Sequence, residues 1–154
     1  MEIERKYLVS SLPDNLEEYP HEEFEQAYLC TAPVVRIRRE GASYVLTYKG
    51  GGMIEREEHN LPLTKEAYDH LLPKADGIVI TKTRYRIPEK DGLTIELDVF
   101  SGVYEGLILA EVEFPTREAA DAYLPPHWFA KDVSLDGRYH NSTLSKGIPL
   151  SEII

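Results

Sequence analysis

The first ten residues, MEIERKYLVS, set Glu2, Glu4 and Lys6 at alternate positions, with Ile3, Tyr7 and Val9 between and beyond them. The same two-residue spacing of like or functional charges recurs along the chain. "VVRIRRE" puts Arg36 and Arg38 in step, opposite Val35 and Ile37, and "VLTYKG" puts Lys49 in step with Val45 and Thr47. "TKTRYRI" aligns Lys82, Arg84 and Arg86, "TIELDVF" aligns Glu96 with Asp98, and "LAEVEF" aligns Glu111 with Glu113. Successive strand residues point to opposite faces, so each of these segments has one charged and one largely apolar face. Any single segment is explained by a solvated outer sheet face. Like charges repeated at i, i+2 on several separate strands are not, because they repel unless a counter-ion or ligand is shared between them.

Faces bearing both signs suit one kind of ligand. A polyphosphate calls for Arg and Lys around its oxygens, and carboxylates come near it only through a hard divalent cation, Mg²⁺ or Mn²⁺. On that reading Glu2 and Glu4 hold the metal and Lys6 meets a phosphoryl oxygen. The net charge of −10, from 27 acids against 17 bases, argues against binding a nucleic-acid duplex. It says nothing against gathering bases inside one cavity.

The elements that must position these residues are mostly strands. Alternation bounded by Pro, Gly, Asp or Ser predicts eight of them, near residues 1–9, 22–31, 34–40, 43–49, 53–63, 77–88, 93–100 and 107–114. "TKEAYDHLL" and "TREAADAYL" each open on Thr with an acid in the first turn and are read as short helices with capping boxes. The segment "PPHWFAKDVSLDGRYHNSTLSKG" has no period; Trp128, Phe129 and Tyr139 serve as packing anchors there, and the segment closes one end. The expected fold is mainly β with a few short helices (α+β): an eight-stranded antiparallel closed barrel around a charged tunnel, one domain over residues 1–154.

In order and spacing, E-x-E-x-K, the R-x-R of "VRIR", the Lys of "TYKGG", the K-x-R of "KTRY", the acids of "ELD" and the E-x-E of "EVE" resemble the triphosphate tunnel metalloenzymes, or CYTH superfamily. "DGRYHN" is similar to that family's closing segment. The resemblance implies hydrolysis of a triphosphate with Mg²⁺ or Mn²⁺. It implies Glu2, Glu4 and Glu113 as metal ligands, with Glu111 and Asp98 near the same or a second ion. Phosphate oxygens fall to Lys6, Arg36, Arg38, Lys49, Lys82 and Arg84, and Glu96 to holding a base or metal-bound water. In "REEHN", Arg56 and Glu58 fit a further motif as substrate ligand and catalytic carboxylate, whereas Asn60 stands where a third acid is looked for.

Phosphoryl transfer needs alignment and charge neutralisation more than a covalent nucleophile, so Lys82, Arg36, Arg38 and Arg84 stabilise charge while a second metal, or Glu4, Glu58 or Asp98, orients water. Inorganic tripolyphosphate is the expected small-molecule substrate, with nucleoside triphosphates second. The alternatives are a class IV-type adenylyl cyclase, a thiamine triphosphatase, or a polyphosphate-binding module without turnover. The lone Cys30 offers no disulfide, and no apolar run spans a bilayer, so no membrane partner is expected and the expected setting is cytoplasmic. His21, His59, His70, His127 and His140 show no ligand spacing and are read as surface or loop residues, and Arg138 and Asn141 as anchors of the closing segment. Arg86 is placed either in the tunnel or at its rim, and Tyr28 is the one tyrosine expected beside the site.

Overall fold

A computed structural model describes residues 1–153. Its strands are β1 (Glu2–Val9), β2 (His21–Thr31), β3 (Val34–Glu40), β4 (Ser43–Lys49), β5 (Glu55–Arg56), β6 (Glu58–Leu63), β7 (Asp76–Pro88), β8 (Thr94–Ser101), β9 (Ile108–Glu113) and β10 (Phe129–Asp132). Three short helices, α1 (Lys65–Leu71), α2 (Arg117–Ala122) and α3 (Asn141–Leu144), complete the main elements. The sheet runs β10-β1-β9-β8-β7-β2-β3-β4-β6, and β5 pairs with β1 through Glu2 opposite Arg56 and Ile3 opposite Glu55. Because β5 continues almost directly into β6, this short pairing carries the sheet round to a nearly closed antiparallel barrel.

Ten strands replace the eight expected, for two local reasons. The segment expected as one strand over 53–63 is divided at Glu57, where the chain leaves β1 and joins β4. The other addition, β10, lies in the segment read as irregular; four residues are too few to show a period, and it forms by pairing with β1.

Polar and apolar faces sort as the alternation requires, with the hydrophobic core outside the barrel. Ile37 and Ala27, both fully buried, pack under Tyr68 of α1. Tyr7, Leu97, Ala110, Val112 and Phe114 pack with Ala120 of α2, Tyr123 and Phe129, and Trp128 joins this cluster. Thr64 and Thr116 cap α1 and α2 by accepting from the Ala67 and Ala119 amides, both at 3.1 Å. The capping boxes are only half made, since Glu66 and Glu118 stand two residues after each Thr instead of three.

The C-terminal segment closes one end. Tyr139, Leu144 and Ile153 pack against Tyr28, Val34, Ile80, Phe100 and Leu109. Gly77 makes this docking possible: at φ +72° it donates no side chain, and a Cβ there would lie 2.0 Å from the Ser145 carbonyl, where the Ile78 amide now donates a 2.7 Å hydrogen bond. Among the described residues no helix is long and apolar enough to cross a membrane.

Candidate active site

The barrel encloses a cavity of about 330 Å³ lined by side chains from most of its strands. Glu2, Glu4 and Lys6 enter from β1, Arg36 and Arg38 from β3, Lys49 from β4, Arg56 and Glu58 from β5 and β6, Lys82 and Arg84 from β7, and Glu96, Glu111 and Glu113 from β8 and β9. Every residue expected at the site reaches this cavity except Asp98.

Asp98 is fully buried behind the bases. One oxygen accepts from Lys82 Nζ at 2.7 Å and from Arg84 Nη2 at 2.9 Å, and the other from Arg84 Nε at 2.8 Å. Against the effect of burial, Arg84 and Lys82 hold its carboxyl below the usual range. With both oxygens taken and no face on the cavity, Asp98 stands apart from the acids expected to share an ion with it. It positions the two bases. Glu96 joins from the cavity side, 3.1 Å from Arg84 Nη1.

The bases are crowded. Burial, with the like charges of Arg36 and Arg84, pushes the Arg38 guanidinium down to about 10. Burial, partly offset by Asp98, lowers Lys82 to about 7. Phe24 lies beneath this group, its ring centroid 4.6 Å from the Arg38 guanidinium carbon and 4.9 Å from that of Arg84. Arg36 donates to Thr47 Oγ1 at 3.1 Å and has a buried Nε with no hydrogen-bond partner. Thr47 donates onward to Asn60 Oδ1 at 2.6 Å, and Asn60 donates to Glu58 at 3.0 Å. The asparagine standing where an acid was looked for thus links a base to a carboxylate.

The acids divide into paired and unpaired groups. Lys49 lies 3.1 Å from Glu2 and 3.4 Å from Glu58. Burial and the hydrogen bond to Glu58 raise Glu2 to about 7, whereas Glu58, despite burial, is lowered to about 2 by Glu2 and Lys49. Glu111 lies 3.6 Å from Lys6 and is held well below the usual range, against burial, by Lys6, Arg84 and Lys82. Glu4 and Glu113 are cross-strand neighbours on β1 and β9. Neither makes a side-chain hydrogen bond or ion pair among the described residues, and burial followed by Glu111 and Glu2 drives the Glu4 carboxyl well above its ordinary value. Two adjacent unpaired carboxylates offer a hard divalent cation the oxygen donors it prefers. Among the described residues no three His, Cys, Asp or Glu side chains form a ready coordination shell.

Several residues at the cavity, or buried behind its wall, lay outside the repeated-charge pattern. Phe24 and Gln26 of β2 are fully buried and alternate with the outward Ala27, but neutral side chains do not register in a search for repeated charges. His140, Asn141 and Ser142 of the closing segment also line the cavity. His140 lies in a loop, as expected, but faces the cavity, where burial and the neighbouring Lys6 and Arg56 push its imidazole down to about 4, and Asn141 Oδ1 lies 3.5 Å from Lys82 Nζ. Arg86 sits at the rim, paired with Glu22 at 2.7 Å, and Arg138 is half exposed against Asp136. Tyr28 lines the cavity.

Comparison with known proteins gives a consistent picture. The family model described as CYTH domain matches residues 1–146. An inorganic triphosphatase of Nitrosomonas europaea is 40% identical over 152 residues, covering 96% of this chain and 99% of that protein. Another from Acetivibrio thermocellus is 37% identical over 117 residues, covering 73% and 71% respectively. A crystal structure of an inorganic triphosphatase superposes with a TM-score of 0.72 at 38% identity, over 97% of each chain. An adenylyl-cyclase-like protein of Hippeastrum, described as having a dominant triphosphatase activity, shares the fold with a TM-score of 0.61 at 17% identity, covering 79% of this chain and 83% of its own.

Proposed function

The chain belongs to the CYTH domain family, and from that premise we propose that it hydrolyses inorganic tripolyphosphate with the help of Mg²⁺ or Mn²⁺, as one tunnel domain over residues 1–154 in the cytoplasm. One observation carries the reading: a single cavity joins Arg36, Arg38, Lys82 and Arg84 to the unpaired carboxylates Glu4 and Glu113. A module that merely stored polyphosphate would need the bases and gain nothing from unpaired acids. The names of the full-length relatives point the same way.

Lys6, Arg36, Arg38, Lys49, Arg56, Lys82 and Arg84 bind the phosphate oxygens. Lys82 and Arg84 stand fixed by Asp98 before substrate arrives, so they stabilise developing charge with little reorganisation. Glu4 and Glu113 hold the cation, Glu2 and Glu111 adjoin them, and the cation when bound neutralises phosphoryl charge as a Lewis acid. Glu58, ionised and fixed by Asn60 and Lys49, is the carboxylate best prepared to accept a hydrogen bond from the attacking water.

The test is phosphate release from tripolyphosphate, pyrophosphate, ATP and thiamine triphosphate, each with Mg²⁺, Mn²⁺ or EDTA. Tripolyphosphate should be the best substrate and EDTA should abolish turnover. Cyclic AMP from ATP, or a preference for thiamine triphosphate, would replace the reading with one of the two alternatives.

A further inference from the structure

A second cavity of about 460 Å³ adjoins the first. It lies between the β2–β3 turn, the Gly50–Gly52 loop and the closing segment, and the exposed Gly51, Gly52 and Met53 open it to solvent. Val34, Lys49, Arg56, His140 and Ser142 line both spaces and so form a partition between them. The chain has a net charge of −10, yet no Asp or Glu among the described residues lines this second space. The loop acid Glu57 is engaged by His59 at 2.7 Å.

The cations differ in availability. Lys49 is balanced by Glu2 and Glu58. Arg56 makes no ion pair among the described residues, and its buried Nε has no hydrogen-bond partner. A guanidinium with no ion pair, lining a roomy space free of carboxylates, is an arrangement that favours an oxyanion.

We propose that this second cavity is an anion subsite, contiguous with the tunnel across Arg56, that takes one tetrahedral phosphate group. It rests on the triphosphatase reading for the origin of that group: the orthophosphate product, or the phosphoryl group beyond the third in a longer chain.

Gly51→Asp tests it without touching the partition. A Cβ at Gly51 meets nothing within 4 Å, so a carboxylate is accommodated at this cavity-lining position without a clash. Gly51→Asn supplies the same shape without charge. Three readouts apply: calorimetric binding of orthophosphate in an Arg38→Ala background, which weakens binding in the tunnel but not beside the loop; orthophosphate inhibition; and kcat/KM for tripolyphosphate and tetrapolyphosphate. The Asp variant should either weaken orthophosphate binding and inhibition or lower tetrapolyphosphate kcat/KM, by about fivefold or more, with tripolyphosphate kcat/KM nearly unchanged. The first outcome identifies the product as occupant, the second the longer chain. The subsite is refuted if Asp changes neither, if Asn acts as strongly as Asp, or if tripolyphosphate and tetrapolyphosphate decline together. If the wild type fails to hydrolyse tripolyphosphate, the triphosphatase reading falls, and calorimetry alone still decides whether an anion binds here.

Discussion

At the residue scale, what separates the acids is whether a cation already holds them. Glu4 has no partner and is driven toward the neutral form by burial and by Glu111 and Glu2. Glu4→Gln keeps the shape while removing the charge a metal requires, so turnover should fall at least about a hundredfold, roughly 2.7 kcal/mol of transition-state stabilisation, with the fold intact. Near-wild-type turnover by the folded variant would remove Glu4 from the metal site. Lys82 gives a prediction in pH. Its ammonium is lowered to about 7 in the free protein, chiefly by burial. A bound triphosphate favours the charged form, so binding takes up a proton, and affinity should fall as pH rises above about 7 until the pKa of the complex is passed. Lys82→Arg remains charged and should bind with little pH dependence between 7 and 9. Equilibrium binding of a non-hydrolysable analogue across that range decides the matter; parallel profiles for both proteins would show that Lys82 does not titrate there.

At the element scale, alternate residues of one strand have opposite tasks. On β3, Arg38 lines the cavity, whereas the fully buried Ile37 packs beneath α1 with Ala27 and Tyr68. Ile37→Ala should cost about 2–5 kcal/mol in chemical denaturation while the folded fraction keeps its affinity for tripolyphosphate. Arg38→Ala should leave stability unchanged or raise it, by relieving repulsion from Arg36 and Arg84, while binding weakens markedly. Loss of binding in a fully stable Ile37→Ala protein would reverse the facing of β3. This alternation is also what made the barrel legible in the sequence, since repeated like charges marked the inward side of β1, β3, β7, β8 and β9. Where the inward side is neutral, as with Phe24 and Gln26 of β2, the pattern had nothing to display. Asp98 shows a different limit: strand parity gives the face but not the partner, and Arg84 and Lys82 take both its oxygens. The contribution of His140 and Asn141 depends on how the C-terminal segment docks across Gly77, which no local period encodes.

On the scale of the whole molecule, the barrel places charge where proteins ordinarily place apolar side chains and moves the apolar core outward beneath α1, α2 and the C-terminal segment. Its interior therefore holds unrelieved repulsion of both signs. Arg38 is depressed by burial and then by Arg36 and Arg84, although Glu40 pairs with it at 2.7 Å, and Glu4 is raised by burial and then by Glu111 and Glu2. Opposite charges relieve part of this, as Lys49 does for Glu2 and Asp98 does for Lys82. A metal ion and a triphosphate together supply both missing counter-charges, each improving the setting for the other, so they should raise the melting temperature by more than the sum of their separate effects. A ligand present at about a hundred times its Kd contributes about 2.7 kcal/mol to stability. A thermal scan with a non-hydrolysable triphosphate analogue, with and without Ca²⁺ in place of the working metal, measures this coupling without turnover. Adenosine and thiamine lack the phosphates and should shift the transition little. A shift as large with adenosine as with the analogue would mean that the cavity recognises a base, and equal shifts for the separate and combined ligands would mean that the two charge clusters are energetically independent.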